Sequence, residues 1–143
     1  EEALCFGWID SRPNRLDEQR FMRLFSPRNP QSPWSKLNKA RVRKLVAAGL
    51  MMPAGQDAIE EAQRNGAWSS YDAIEALTMP DDLRRALARN RAARVNFEAF
   101  PPSSKKNIYW WIESAKRPET RNKRVEETVS MAARNLKANH YRQ

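Results

Sequence analysis

The chain has 143 residues, 41% hydrophobic and 30% charged, with 26 Lys and Arg against 17 Asp and Glu for a net charge of +9. That length carries a real core and that balance excludes a disordered chain. Its longest apolar runs fall far short of the ~20 residues that span a bilayer.

One cysteine, Cys5, and one histidine, His140, exclude an internal disulfide and a zinc site. The lone cysteine favours an intracellular, cytoplasmic setting, and beside Leu4 and Phe6 it reads as a small buried hydrophobe. Charge is uneven. Residues 1–52 hold ten Lys/Arg against five acids, residues 53–100 six against eight, and residues 101–143 ten against four. Two basic flanks around an acidic centre suggest convergence on an anionic partner, or pairing with the central acids.

In chain order, Glu1 to Phe6 reads as the tail of a helix that Gly7 ends. The start, without an initiator Met, reads as a fragment. Trp8 to Arg12 is extended, Pro13-Asn14 is a turn or edge signal, and Arg20 to Ser26 is a second strand. Phe21, Arg23 and Phe25 then share one face, with Met22 and Leu24 on the other. A two-stranded hairpin is marginal in water, so helices or further strands must cover it.

Pro27, Pro30 and Pro33 punctuate a loop, and Ser35 or Asn38 caps a helix carrying Val42, Leu45 and Val46 that Gly49 closes. A further helix runs from about Pro53 to Gln63, with Ala58, Ile59 and Ala62 inward and Asn65-Gly66 as its stop. Trp68 to Leu77 is ambiguous. Pro80 with Asp81 and Asp82 starts a helix bearing Leu83 and Leu87, and Asn90 or Arg91 breaks it before Phe97 and Phe100.

After Pro101-Pro102, Ser103 or Ser104 caps a helix whose stripe is Ile108, Trp111, Ile112 and Ala115. Pro118 starts the last helix, with Val125, Thr128, Val129, Ala132, Ala133 and Leu136 inward. The expected fold is α+β and mostly helical, with a short antiparallel hairpin covered by helices and a terminal helix pair. It is read as one domain over 1–143, N-terminally incomplete: hairpin region 1–34, helical middle 35–100, helix pair 101–143.

Two constellations carry chemistry. Trp8, Asp10, Arg12, Arg20 and Arg28 lie on or beside the hairpin, with Trp34, Ser35, Lys36 and Asn38 in the following loop. Aromatic faces beside guanidinium groups suit an anionic or planar ligand. The same residues also read as core tryptophans and structural ion pairs. Lys116, Arg117, Arg121, Lys123 and Arg124 crowd the elbow of the helix pair, where they would meet phosphates or simply solvate a face. If the pair packs on the hairpin, Arg12, Arg28 and Lys36 approach Lys116, Arg117 and Arg121 around an anion. No catalytic set or glycine-rich phosphate loop stands out, and no cofactor is indicated.

The stretches Cys5–Arg12, Arg20–Arg28, Trp34–Asn38 and Tyr109–Arg121 carry a resemblance. The chain is identified over nearly its whole length as similar to the YdeI / OmpD-associated family of bacterial proteins, also labelled bacteriocin-protection proteins. The resemblance implies a part in tolerance to antimicrobial peptides or stress, and an envelope link through a porin. It implies no reaction, cofactor or catalytic residue. The function expected is a small non-enzymatic basic protein binding an anionic ligand or a protein partner. One alternative is a weak, non-specific nucleic-acid module using the terminal helix pair. Another is an enzyme whose site needs residues preceding Glu1.

Overall fold

The computed structural model describes residues 1–11 and 13–140, and the fold is α+β and mostly helical, with eight helices and two short strand pairs among them. It divides into two compact units, 1–72 and 73–143. The division falls inside the segment expected to form one helical middle.

In the first unit, α1 (Glu2–Cys5) ends at Gly7, whose φ of +71° favours glycine and turns the chain into β1 (Trp8–Asp10). The expected second strand is divided. β2 (Asn14–Arg15) pairs with β3 (Phe21–Met22), while β1 pairs with β4 (Phe25–Pro27) in the register Trp8↔Pro27, Ile9↔Ser26, Asp10↔Phe25. Pro13 has no N–H for the ladder, which accounts for a break at this level. Ser11 bridges the gap: its N–H donates to the Leu24 carbonyl at 2.8 Å, and its Oγ accepts from the Leu24 N–H at 3.0 Å. At the tip the Asp17 carboxylate accepts the N–H groups of Gln19 and Arg20, at 3.0 and 2.8 Å. Those bonds, Gln19 first, hold its pKa below the usual value.

Two helices build the rest of this unit. Ser35 caps α2 (Lys36–Ala47) by accepting the Asn38 N–H at 3.2 Å, and α3 (Pro53–Arg64) runs on to Asn65. The core gathers Leu4, Cys5, Trp34, Val42, Leu45, Ile59, Ala62 and Ala67, with Trp68 against it. Val46, expected inward, is exposed, and the buried partner of Val42 and Leu45 on that face is Lys39. Its aliphatic stem is covered while its ammonium pairs with Asp72. α3 lies against α1 so closely that Gly55 is obligatory: a Cβ there would fall 2.2 Å from the Cys5 carbonyl oxygen. The short helix α4 (Asp72–Glu75) occupies the ambiguous stretch.

The second unit is helical: α5 (Asp81–Ala88), α6 (Arg91–Glu98), α7 (Pro102–Glu113) and α8 (Pro118–Ala133). Asn90 caps α6 by accepting the Ala93 N–H at 3.0 Å. Neither Ser103 nor Ser104 caps α7, because Pro101 and Pro102, with φ already set, open it earlier and leave Ser104 buried inside. The inward face of α7 is Ile108, Tyr109 and Ile112 rather than Ile108, Trp111 and Ile112. Tyr109 is 2% exposed and its ring lies 6.1 Å from Phe97, whereas Trp111 is only half-buried. Burial also pushes the Tyr109 phenol above its usual pKa. On α8, Val125, Thr128 and Ala132 are buried, and the Asn96 amide donates to the Ala132 carbonyl at 2.8 Å. Among the described residues no helix is long and apolar enough to cross a membrane.

Candidate functional site

The hairpin leaves apolar side chains in the open. Phe6, Trp8, Leu16, Phe21, Met22, Leu24 and Phe25 are all exposed, Phe21 at 63%. Some of them enclose a groove of about 580 Å³ between α1, the β1–β4 ladder and the first turns of α2. Phe6, Trp8 and Phe25 give it aromatic walls, while Asp10, Arg23, Asn38 and Arg41 supply polar groups. Arg23 Nη1 donates to Asp10 Oδ2 at 2.6 Å across the hairpin. The Arg41 Nη1 donates to Asn38 Oδ1 at only 3.4 Å, which leaves its guanidinium largely uncommitted among the described residues. Glu1 and Glu2 line one end.

Of the residues singled out from sequence, the groove collects Trp8, Asp10 and Asn38. Arg12 lies outside the described residues. Arg20 is at the hairpin tip, its Nε donating to Asp17 Oδ2 at 2.6 Å. Arg28 and Trp34 are brought together, with the guanidinium 4.0 Å from the indole centroid, but they sit apart from the groove lining. Trp34 is buried and packs at 5.0 Å on Trp68, over which the Lys39 ammonium lies at 5.4 Å. Lys36 is exposed at the start of α2.

Lys116, Arg117 and Arg121 belong to the second unit. Lys116 and Arg117 are exposed on the elbow. Arg121 is committed within its own unit: it donates to Asp82 at 2.5 and 3.1 Å and to both Glu113 oxygens at 3.1 Å. Those carboxylates raise its pKa above the usual arginine range and Arg121 holds Asp82 below the usual carboxylate range. Arg124 lies 5.2 Å over the Trp111 ring and donates to the Trp111 carbonyl.

Among the groove residues not singled out as site candidates from sequence are Phe6, Arg23, Phe25 and Arg41. Arg23 carried a signal, since pairing Asp10 opposite Phe25 places it near that carboxylate. Arg41 carried none, because only the folded unit brings α2 to the hairpin. Nor were Arg84 and Arg85 on α5, Arg89 at its C-cap, and Arg91 and Arg94 on α6 singled out, because the segment 53–100 sums to an acidic total. Among the described residues Arg84 is the one of these five in an ion pair, with Asp81 at 2.8 Å.

Among the described residues no group of His, Cys, Asp and Glu is arranged to hold a metal ion. The whole is a two-unit α+β protein: a helix–hairpin unit with an aromatic groove, followed by a four-helix unit closed by an arginine–carboxylate network. Residues 76–135, within the second unit, match the family model described as bacteriocin-protection, YdeI or OmpD-associated. Residues 1–58 match a different model, the domain of unknown function DUF8412. The stretches from Cys5 to Asn38 therefore fall outside the first match, and the resemblance is narrower than the near-complete extent expected. No curated protein and no solved structure matches the chain.

Proposed function

We propose that the chain is a small non-enzymatic binding protein whose first unit holds a planar anionic molecule in the groove of Phe6, Trp8 and Phe25. The observation that carries this reading is the pairing of three exposed aromatic side chains with the uncommitted Arg41 guanidinium in one cleft of about 580 Å³. Aromatic faces cover a flat ligand, and a guanidinium next to them binds its carboxylate, sulfonate or phosphate. Asp10, neutralised by Arg23, serves to fix that arginine rather than to repel the anion. A chain of net charge +9 repels cationic peptides, so a part in antimicrobial-peptide tolerance runs through the ligand or partner it binds.

Anilinonaphthalene sulfonate, a planar aromatic anion, is the probe. Its fluorescence should rise to saturation at one site per chain. Trp8→Ala and Arg41→Gln should each weaken it about tenfold, a loss of ~1.4 kcal/mol. Equal binding by the parent and both variants would remove the groove from consideration.

A further inference from the structure

We infer that the groove between α5 and α8 is a docking site for an acidic amphipathic helix of a partner protein. Along α8, Glu126, Val129, Ser130, Ala133 and Arg134 recur at i, i+3, i+4, i+7 and i+8, so they form one stripe. Val125, Thr128 and Ala132 take the neighbouring face into the core. Val129 and Ala133, expected inward from sequence, are only half-buried. With Ala86 of α5 they floor an open groove of about 550 Å³. Small side chains on such a floor let the axis of an added helix approach to the usual ~8–10 Å.

Charge decides the partner. Arg89 and Arg134, the C-cap residues of α5 and α8, are exposed and both line the groove. Arg134 Nη2 reaches the Met131 sulfur at 3.0 Å, a weak acceptor, and neither guanidinium has an acidic partner among the described residues. A cation suits any helix C-terminus. Here two of them share an apolar floor, which fits a helix with acids beside its apolar face. Glu126 is the acid in the lining, but it stands ~12 Å from Arg134 along the helix, beyond the ~8 Å Debye length. The second unit holds 15 Lys and Arg against eight acids, so it repels another copy of itself and attracts an acidic partner. A phosphate backbone gains nothing from the apolar floor, which favours a peptide over nucleic acid. The groove shares no residue with the aromatic groove of the first unit, so it stands independently of the function proposed above.

The probe is a fluorescein-labelled model helix of ~15 residues, with Leu at i, i+3, i+4 and i+7 and Glu elsewhere, titrated with the whole chain and read by anisotropy. Binding should saturate at one peptide per chain, and a counterpart with Lys in place of Glu should bind far more weakly. Arg89→Gln combined with Arg134→Gln should weaken binding about tenfold. Both side chains are exposed, so this variant keeps its fold. Val129→Ser, which removes apolar floor without changing charge, should weaken binding as well. Arg91→Gln combined with Arg94→Gln takes the same charge from outside the groove and should leave the affinity unchanged. No saturable binding by the parent, equal binding of the Lys counterpart, unchanged affinity in Val129→Ser, or equal losses in the two double variants would overturn the assignment. So would duplex DNA that binds through Arg89 and Arg134 more tightly than the peptide.

Discussion

Arg121 on α8 grips Asp82 in the first turn of α5 through two hydrogen bonds, Nε to Oδ2 at 2.5 Å and Nη2 to Oδ1 at 3.1 Å. The same guanidinium reaches both oxygens of Glu113 at the end of α7, so one side chain ties three of the unit's helices together. Both partners of the first pair are under one-third exposed, which places the pair above ordinary surface ion pairs in strength.

Asp82→Asn should therefore destabilise the second unit by about 1.5–3 kcal/mol at neutral pH, the range for hydrogen bonds to charged groups. Arg121 depresses the Asp82 pKa in the folded state. The associated stability is then complete above the unfolded value of about 3.9 and is lost as pH falls through the folded pKa. Hydrogen exchange of α8 amides, followed from neutral to acid pH, should show the parent and the variant converging in acid. An undiminished gap at about pH 2 would contradict the linkage.

Gly55→Ala should destabilise the first unit by about 1–3 kcal/mol, although alanine is ordinarily the better helix former by ~1 kcal/mol. The added methyl meets the Cys5 carbonyl at 2.2 Å and Met51 Cε at 2.7 Å, and only the methionine can move aside cheaply. Urea denaturation checks the sign. A stabilised variant would show that the α1–α3 contact yields freely.

Tyr109→Ala should cost about 3–5 kcal/mol, the usual range for emptying a buried aromatic site. Trp111→Ala should cost distinctly less, since Trp111 is half-buried and its packing includes Arg124 over one face. Equal losses in melting experiments would return Trp111 to the core.

Much of the fold was legible because its signals are local. Pro53, Pro80 and Pro118 mark helix starts, Gly7, Gly49 and Asn65-Gly66 mark ends, and Asn90 marks the break between α5 and α6. The exchange of Trp111 for Tyr109 was not legible. Both residues fit an apolar stripe with Ile108 and Ile112, and the choice depends on where Phe97 sits. The groove was half legible: Trp8, Asp10 and Asn38 stand out in the sequence, whereas Arg41 enters only through the packing of α2. The arginines of the elbow were misleading in another way, since composition does not reveal which cations their own fold consumes.

That consumption sets a limit on nucleic-acid binding. Arg121 and Arg124 are engaged within their unit, leaving Lys116, Arg117 and Lys123 of the elbow cluster for phosphates. Three contacts predict a slope of log K against log salt no steeper than about −3 for binding through the elbow. A mobility-shift series across salt measures it, with Lys116→Ala, Arg117→Ala and Lys123→Ala variants to locate the contacts. A much steeper slope abolished by those three changes would contradict the count.

Chemical-shift mapping of the isotope-labelled whole chain during titration with anilinonaphthalene sulfonate tests the binding groove most directly. Perturbations should be saturable and centred on Phe6, Trp8, Asp10, Arg23 and Arg41, with the Trp8 indole N–H among the largest. Shifts confined to Lys116, Arg117 and Lys123, or the absence of any saturable shift around Trp8, would contradict the groove as the binding site.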